Sequence, residues 1–198
     1  VGNNGEGVSG INWSATILPV KIFSDDGGAD AASIIRGINY ATSVGARLTS
    51  NSWGGGPANP AIQEAFRNSP DALHMMSAGN SGTNNDVHPH YPSDYDLPNN
   101  VAVAATDRND QLAKFSCYGE KNVDIAAPGK DILSTVPGGG YAVFSGTSMA
   151  TPHVTGAAGL LLAMDPEMSN DELVTRLTKG GDQLESLQGK VGSGARLN

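Results

Sequence analysis

A single cysteine, Cys117, stands among the 198 residues. No internal disulfide can form, and a low cysteine count by itself leaves the compartment open. Charge is also scarce, at 16% of residues with a net charge of −8. An acidic chain of this kind disfavours nucleic acid and anionic membrane surfaces as partners. No apolar run approaches the roughly 18 residues of a membrane span. The opening stretch VGNNGEGVSG has neither a charged region nor an apolar stretch, so it is not a signal peptide. A Gly/Asn turn joins two elements, so this opening reads as the middle of a domain. What is abundant is glycine, with 26 residues, beside 38% hydrophobic residues. That balance fits tight turns and close backbone packing in one globular domain (1–198) with a real core.

Short apolar runs alternate with helical patterns. TILPVKIF (16–23), ARLTSNS (46–52), ALHMMSA (72–78) and VAVAAT (101–106) read as strands. VDIAAPG (123–129), ILSTVP (132–137) and YAVFSG (141–146) read as further β segments, the last two joined by a turn at Gly138–Gly140. Residues 30–45 read as a helix capped by Asp30 and stopped by Gly45, with Ile34, Ile35, Ile38 and Ala41 on one face. Residues 59–68 read as a helix with Asn59 at the cap and Pro60 at the first position. A helix over 147–164 follows, then one over 169–180 with a Ser169…Glu172 capping box. Alternating strand and helix predicts an α/β fold of three layers, a mainly parallel sheet with helices on both faces. Ligands gather at the carboxyl ends of strands in such sheets. The Gly-rich turns SWGGG and SAGNSGTNND both lie at such ends.

Ser148 sits at the start of the helix over 147–164, with Pro152 expected in its first turn. A serine there meets the positive end of the helix dipole, among free backbone N–H groups that favour an oxyanion. Beyond it, Ala150, Gly156, Ala157, Ala158 and Gly159 leave little bulk, so the helix is expected to be central and buried.

The string SGTSMATPHVTG closely resembles the nucleophile motif of the subtilisin-like serine peptidases, the subtilases. GNNGEGVSGINWSATILPVKIF, NSWGGG, SAGNSG and VAVAATD…FSCYG…VDIAAPG resemble successive segments of that family, in family order. The resemblance implies that Ser148 is the acylated nucleophile of a peptide-bond hydrolase. It also implies that the Asn80 side chain and the Ser148 backbone N–H form the oxyanion hole. Preorganised donors stabilise the negative charge of the tetrahedral intermediate, and in subtilisin losing the side-chain donor costs about 10²–10³ in turnover. Ser52, Trp53, Gly54 and Gly55 match the edge that pairs with a polypeptide substrate, and Ala78 and Gly79 match the pocket wall for the residue before the scissile bond. Substrate preference is not legible from these residues.

The family uses Asp, His and Ser in that chain order. Its Asp-Ser/Thr-Gly and His-Gly-Thr-His strings do not occur here. The four histidines offer no evident substitute. His74 lies in an apolar strand, His88 and His90 in a polar loop, and His153 five residues after Ser148. Five residues is about 500° of helix, roughly 140° round from the serine. The chain alone is therefore expected to be nearly inactive, since losing the serine or the histidine costs subtilisin about 10⁶ in turnover. It would need the remaining part of the domain as partner, or would self-associate through bared apolar surface. No cofactor is expected for catalysis. GNNGEG resembles the family's calcium loop, with Asn4 giving a side-chain oxygen and Gly2, Glu6 and Val8 giving carbonyls, and Asp124 resembles a ligand of a second cation site. Cys117 matches a packing position. The resemblance implies an extracellular location. Two rival readings are a non-catalytic peptide-binding remnant using the Ser52–Gly56 edge and an acyl-transfer ligase on the same scaffold.

Overall fold

The computed structural model describes residues 2–198. Its centre is four strands: β1 (Leu48–Asn51), β2 (Leu73–Ser77), β3 (Asn100–Thr106) and β4 (Ile125–Pro128). Each pairs with the next in parallel, so that Met75 stands beside Val101 and Val103 beside Ile125. β2 is buried at every residue and β3 at all but its first. Continuous burial is what a parallel strand covered on both faces requires, and it explains why these runs show no polar alternation. Two short strands, β7 (Asp182–Gln183) and β8 (Ala195–Arg196), complete the order β1-β2-β3-β4-β8-β7.

Helices cover both faces, so the three-layer α/β fold expected from the sequence is present. On one face lie α1 (Ala31–Ser43) and α2 (Pro60–Arg67), whose Ile34, Ile38, Ile62 and Phe66 pack with Met76. Asp30 caps α1 by accepting the Ser33 N–H at 2.6 Å. Asn59 caps α2, and Pro60 opens it. On the other face lie α3 (Thr147–Met164) and α4 (Asn170–Lys179), whose Ala150, Val154, Ala158, Leu173 and Leu177 pack on Met75, Val103 and Ile125. Ser169 and Glu172 form the expected capping box on α4. Adjacent residues of β2, Met75 and Met76, thus serve opposite layers, as the two-residue period of a strand dictates.

Two expectations need correction, and two strands went unread. Residues 16–23 form no strand. Ile22 packs with α1 and α2, but among the described residues no strand pairs with this segment, and an apolar run without a ladder partner is not a strand. α3 is buried along one face, whereas Leu160 and Met164 on its last turns are exposed. Strands β7 and β8 were not foreseen, because two residues carry no readable period. The hairpin of β5 (Ile132–Val136) and β6 (Gly140–Phe144) forms as expected, as an antiparallel pair apart from the main sheet, with Gly138 and Gly139 at positive φ in its turn.

At the amino ends of the strands, Arg47 binds three carbonyls on two segments. Its guanidinium donates to the carbonyls of Asp71 at 2.9 Å, Pro166 at 3.1 Å and Met168 at 2.9 Å.

Candidate active site

Three backbone segments converge at the opposite end of the sheet. Ser52–Gly56 leaves the carboxyl end of β1, Ala78–Asn80 leaves that of β2, and the first turn of α3 brings Thr147 and Ser148. The knot between the last two is Thr147, which is fully buried. Its N–H donates to Asn80 Oδ1 at 2.8 Å, and its hydroxyl donates to the same oxygen at 3.0 Å while accepting the Gly79 N–H at 3.2 Å. A backbone N–H can only donate, so it fixes which end of the Asn80 amide is oxygen. The amide's Nδ2 is left facing the helix start.

The Ser148 N–H lies in the first turn of α3, where helix geometry supplies no acceptor. Gly146 stands between the two donors. A Cβ placed on it would lie 3.5 Å from Asn80 Nδ2 and 3.6 Å from Ser148 N. Two N–H donors thus flank one small space beside the Ser148 side chain, and such a space suits an anionic oxygen. Asn80 and Ser148, paired from sequence, are brought together.

The Ser148 hydroxyl contacts the Ser52 carbonyl at 3.4 Å, while the Ser52 hydroxyl donates to the Ser148 carbonyl at 2.9 Å. No histidine among the described residues bonds Ser148. His153 donates from Nδ1 to the Met149 carbonyl at 2.8 Å, on its own helix. His74 is fully buried between the hydroxyls of Thr49 and Ser69 at 2.7 and 2.9 Å, and burial pushes its pKa down to about 4. His88 is exposed. Pro152 is the sixth residue of α3 and lies beyond its first turn, which corrects the sequence-based placement.

His90 was expected to be a solvated or loop-packing residue, and its position is more telling. A Cβ on Gly54 would strike its ring at 2.4 Å, and one on Gly79 at 2.9 Å. The imidazole therefore lies in the slot between the two Gly-rich segments. Burial lowers its pKa, and its Nδ1 is 3.0 Å from the Ser93 hydroxyl. Beneath it, Asp94 accepts from the His90 N–H at 3.0 Å, the Ser93 hydroxyl at 2.9 Å and Asn85 Nδ2 at 3.1 Å. Asn85 also donates to the Ala78 carbonyl at 2.9 Å, so this buried group ties the wall of the slot to its floor. Burial raises the Asp94 pKa to about 6 against these hydrogen bonds. Trp53 lies over Phe66 and donates to Asn51 at 3.1 Å, while the Gly55 N–H reaches the Tyr91 carbonyl at 2.8 Å. The Tyr91–Pro92 bond is cis. Cys117 is buried behind Gly79. Burial pushes its thiol pKa up, and hydrogen bonds from Ser81 and Thr83 outweigh this and bring it below the ordinary value.

The candidate cation positions look different. Asn4 Oδ1 accepts the Glu6 N–H at 3.2 Å in an exposed turn. With the carbonyls of Gly2, Glu6 and Val8 it supplies fewer than the six to eight oxygens that calcium takes, so these residues alone do not fit the ion. Asp124 accepts the Ala102 N–H at 2.7 Å, and burial raises its pKa to about 6. Among the described residues, no three acidic, His or Cys side chains gather as a metal site.

The family model for the subtilase family matches residues 1–193. The chain belongs to the subtilase family. It is 42% identical to thermitase of Thermoactinomyces vulgaris over 86% of this chain and 60% of that protein. It is 39% identical to the cell wall-associated protease of Bacillus subtilis over 94% of this chain and 21% of that protein. It is 38% identical to subtilisin BL of Lederbergia lenta over 93% of this chain and 67% of that protein. The subtilase chain thus spans about three fifths of thermitase. Thr147 and His90 were not among the candidate residues read from the sequence. Their signals were present, Thr147 directly before the serine and His90 directly before Tyr91–Pro92, but their contacts come from segments distant in sequence.

Proposed function

We propose that this subtilase chain carries the nucleophile and oxyanion hole of a serine endopeptidase. The observation that carries the reading is the pair of donors, Asn80 Nδ2 and the Ser148 N–H, around the space at Gly146. An extended polypeptide lies along Ser52, Trp53, Gly54 and Gly55, with the side chain before the scissile bond at the mouth of the slot between Gly54 and Gly79, against the His90 ring. The Ser148 Oγ attacks the carbonyl carbon, and the carbonyl π pair moves to the oxygen between the two donors. A base takes the hydroxyl proton. When the oxyanion collapses, the C–N bond breaks and the amine departs with that proton. Water then cleaves the acyl-serine and regenerates the hydroxyl. The base is not among the described residues near Ser148, and the family's Asp and His strings are absent from the sequence.

The 198-residue chain alone should therefore turn over a fluorogenic peptide far below 1 s⁻¹. Turnover near or above that rate, abolished by Ser148→Ala, would overturn the incomplete-site reading. A fluorophosphonate should slowly modify Ser148, detected by peptide mapping, and Ser148→Ala should remove the adduct. Peptide binding with no adduct after prolonged exposure would favour the peptide-binding remnant instead. Acyl transfer to an added amine in preference to water would favour the ligase. The active form needs the remaining part of the domain, supplied on the same chain or as a partner fragment. An extracellular site of action accords with relatives named subtilisin and cell wall-associated protease. Calcium at the 2–8 loop should bind weakly, with a Kd of about 1 mM or above by calorimetry.

A further inference from the structure

Pro152 removes one hydrogen bond from α3. In a regular helix the residue-152 N–H would donate to the carbonyl four residues back, which is that of Ser148. Proline has no N–H, and its ring crowds that carbonyl. The freed acceptor thus belongs to the candidate nucleophile itself. The neighbouring carbonyls show what is at stake. That of Thr147 receives the Thr151 hydroxyl at 2.9 Å, and that of Met149 receives His153 Nδ1 at 2.8 Å, each in addition to the helical ladder. The Ser148 carbonyl receives a donor from another element, the Ser52 hydroxyl at 2.9 Å.

We infer that Ser52 is a positioning residue for Ser148: its hydroxyl replaces the helix donor that Pro152 lacks and thereby ties the substrate-pairing edge to the nucleophile. The reach of the bond makes this specific. Ser52 is the first residue beyond β1, and the return contact runs from the Ser148 hydroxyl to the Ser52 carbonyl. The two residues clasp each other through one hydroxyl–carbonyl bond of normal length and one longer contact. A helical N–H in place of the Ser52 hydroxyl would satisfy the carbonyl from within α3 and leave Ser52 without this tie to the helix. The proline therefore trades a local bond for one between the two elements that must keep register. This inference rests on the acyl-serine reading for its consequence, but not for the hydrogen bond.

The test is a cycle of Ser52→Ala, Pro152→Ala and the double variant in the 198-residue chain, with two readouts. The first is hydrogen exchange at the new residue-152 amide. In Pro152→Ala that amide shares one carbonyl with the Ser52 hydroxyl, and each of two bonds to one oxygen is weaker than a single one, so adding Ser52→Ala should raise its protection several-fold. The second is the rate at which a fluorophosphonate modifies Ser148, followed by intact mass. Ser52→Ala should slow it about tenfold, a loss on the scale of one hydrogen bond. Ser52→Thr, which keeps the hydroxyl, should recover most of the rate that Ser52→Ala loses. If Ser52→Ala does not fold, Ser52→Cys replaces it, keeping the size with a weak donor. Equal amide protection with and without Ser52 would overturn the hydrogen-bond exchange. Raised protection with an unchanged labelling rate would overturn the positioning role. If the parent chain fails to label at all, the acyl-serine reading and with it the positioning role fall, while the amide arm still decides whether the bond exists.

Discussion

Asn80 and Ser148 occur 68 positions apart, yet the space between their donors is defined by a third residue, Thr147, whose N–H and hydroxyl make three contacts with Gly79 and Asn80. Ser148 and Asn80 were legible in the sequence because they sit in motif strings at the ends of readable elements. Thr147 and His90 were not, because what brings them into the candidate site is contact with Gly54, Gly79 and Asn80 from other segments. His90 leads to a prediction. Removing its ring should enlarge the slot between Gly54 and Gly79. In a series of peptide fluorophosphonates that differ in the side chain nearest phosphorus, His90→Ala should shift preference from small to aromatic groups by about tenfold or more, as expected for a change of pocket volume. An unchanged order of preference would mean that the ring does not face the substrate.

Elements were read best where local chemistry is self-sufficient. The caps at Asp30, Asn59 and Ser169 lie within a turn of their targets, so these helices were legible to within a residue or two. Ser169→Ala should cost about 1 kcal/mol in chemical denaturation. Strands depend on neighbours, which is why 16–23 misled and β7 and β8 escaped notice. β2 carries an unusual cost, a fully buried His74. Its pKa of about 4 lies below the ordinary 6.5, so between those values the unfolded chain binds the extra proton. Stability from this group is therefore intact above about pH 6.5 and falls as the pH drops towards 4, by up to about 3 kcal/mol. Asp94 and Asp124 act in the opposite sense. Their pKa values, raised to about 6, make their contribution grow as the pH falls from 6 towards 4. The whole protein should accordingly show a flattened acid limb. In His74→Gln, urea unfolding should lose this group's acid sensitivity, so the gap between parent and variant narrows between pH 6.5 and 4. A gap independent of pH would argue against a neutral buried imidazole.

At the scale of the molecule, the alternation of strand and helix made the parallel sheet and its covering layers legible, whereas the sheet order was not, since β8 enters between β4 and β7 from far along the chain. The surface was also only partly foreseen. Trp13 and Ile17 are exposed at 59% and 72%, and Leu133, Tyr141, Val143 and Phe144 bare both sides of the β5–β6 hairpin. Apolar surface of this extent invites association. Light scattering should give a mass of two or more chains at micromolar concentration, and a monodisperse monomer would show that this exposure is tolerated.

The three-way grip of Arg47 sits at the end of the sheet remote from Ser148. A lysine presents a point charge and cannot span three carbonyls at fixed angles. Arg47→Lys should therefore loosen the stretch around Pro166–Met168, where thermolysin would clip it, without disturbing the reactive end. Anchorage and candidate site are lodged at opposite poles of this molecule, so shelf life could be adjusted without touching the site.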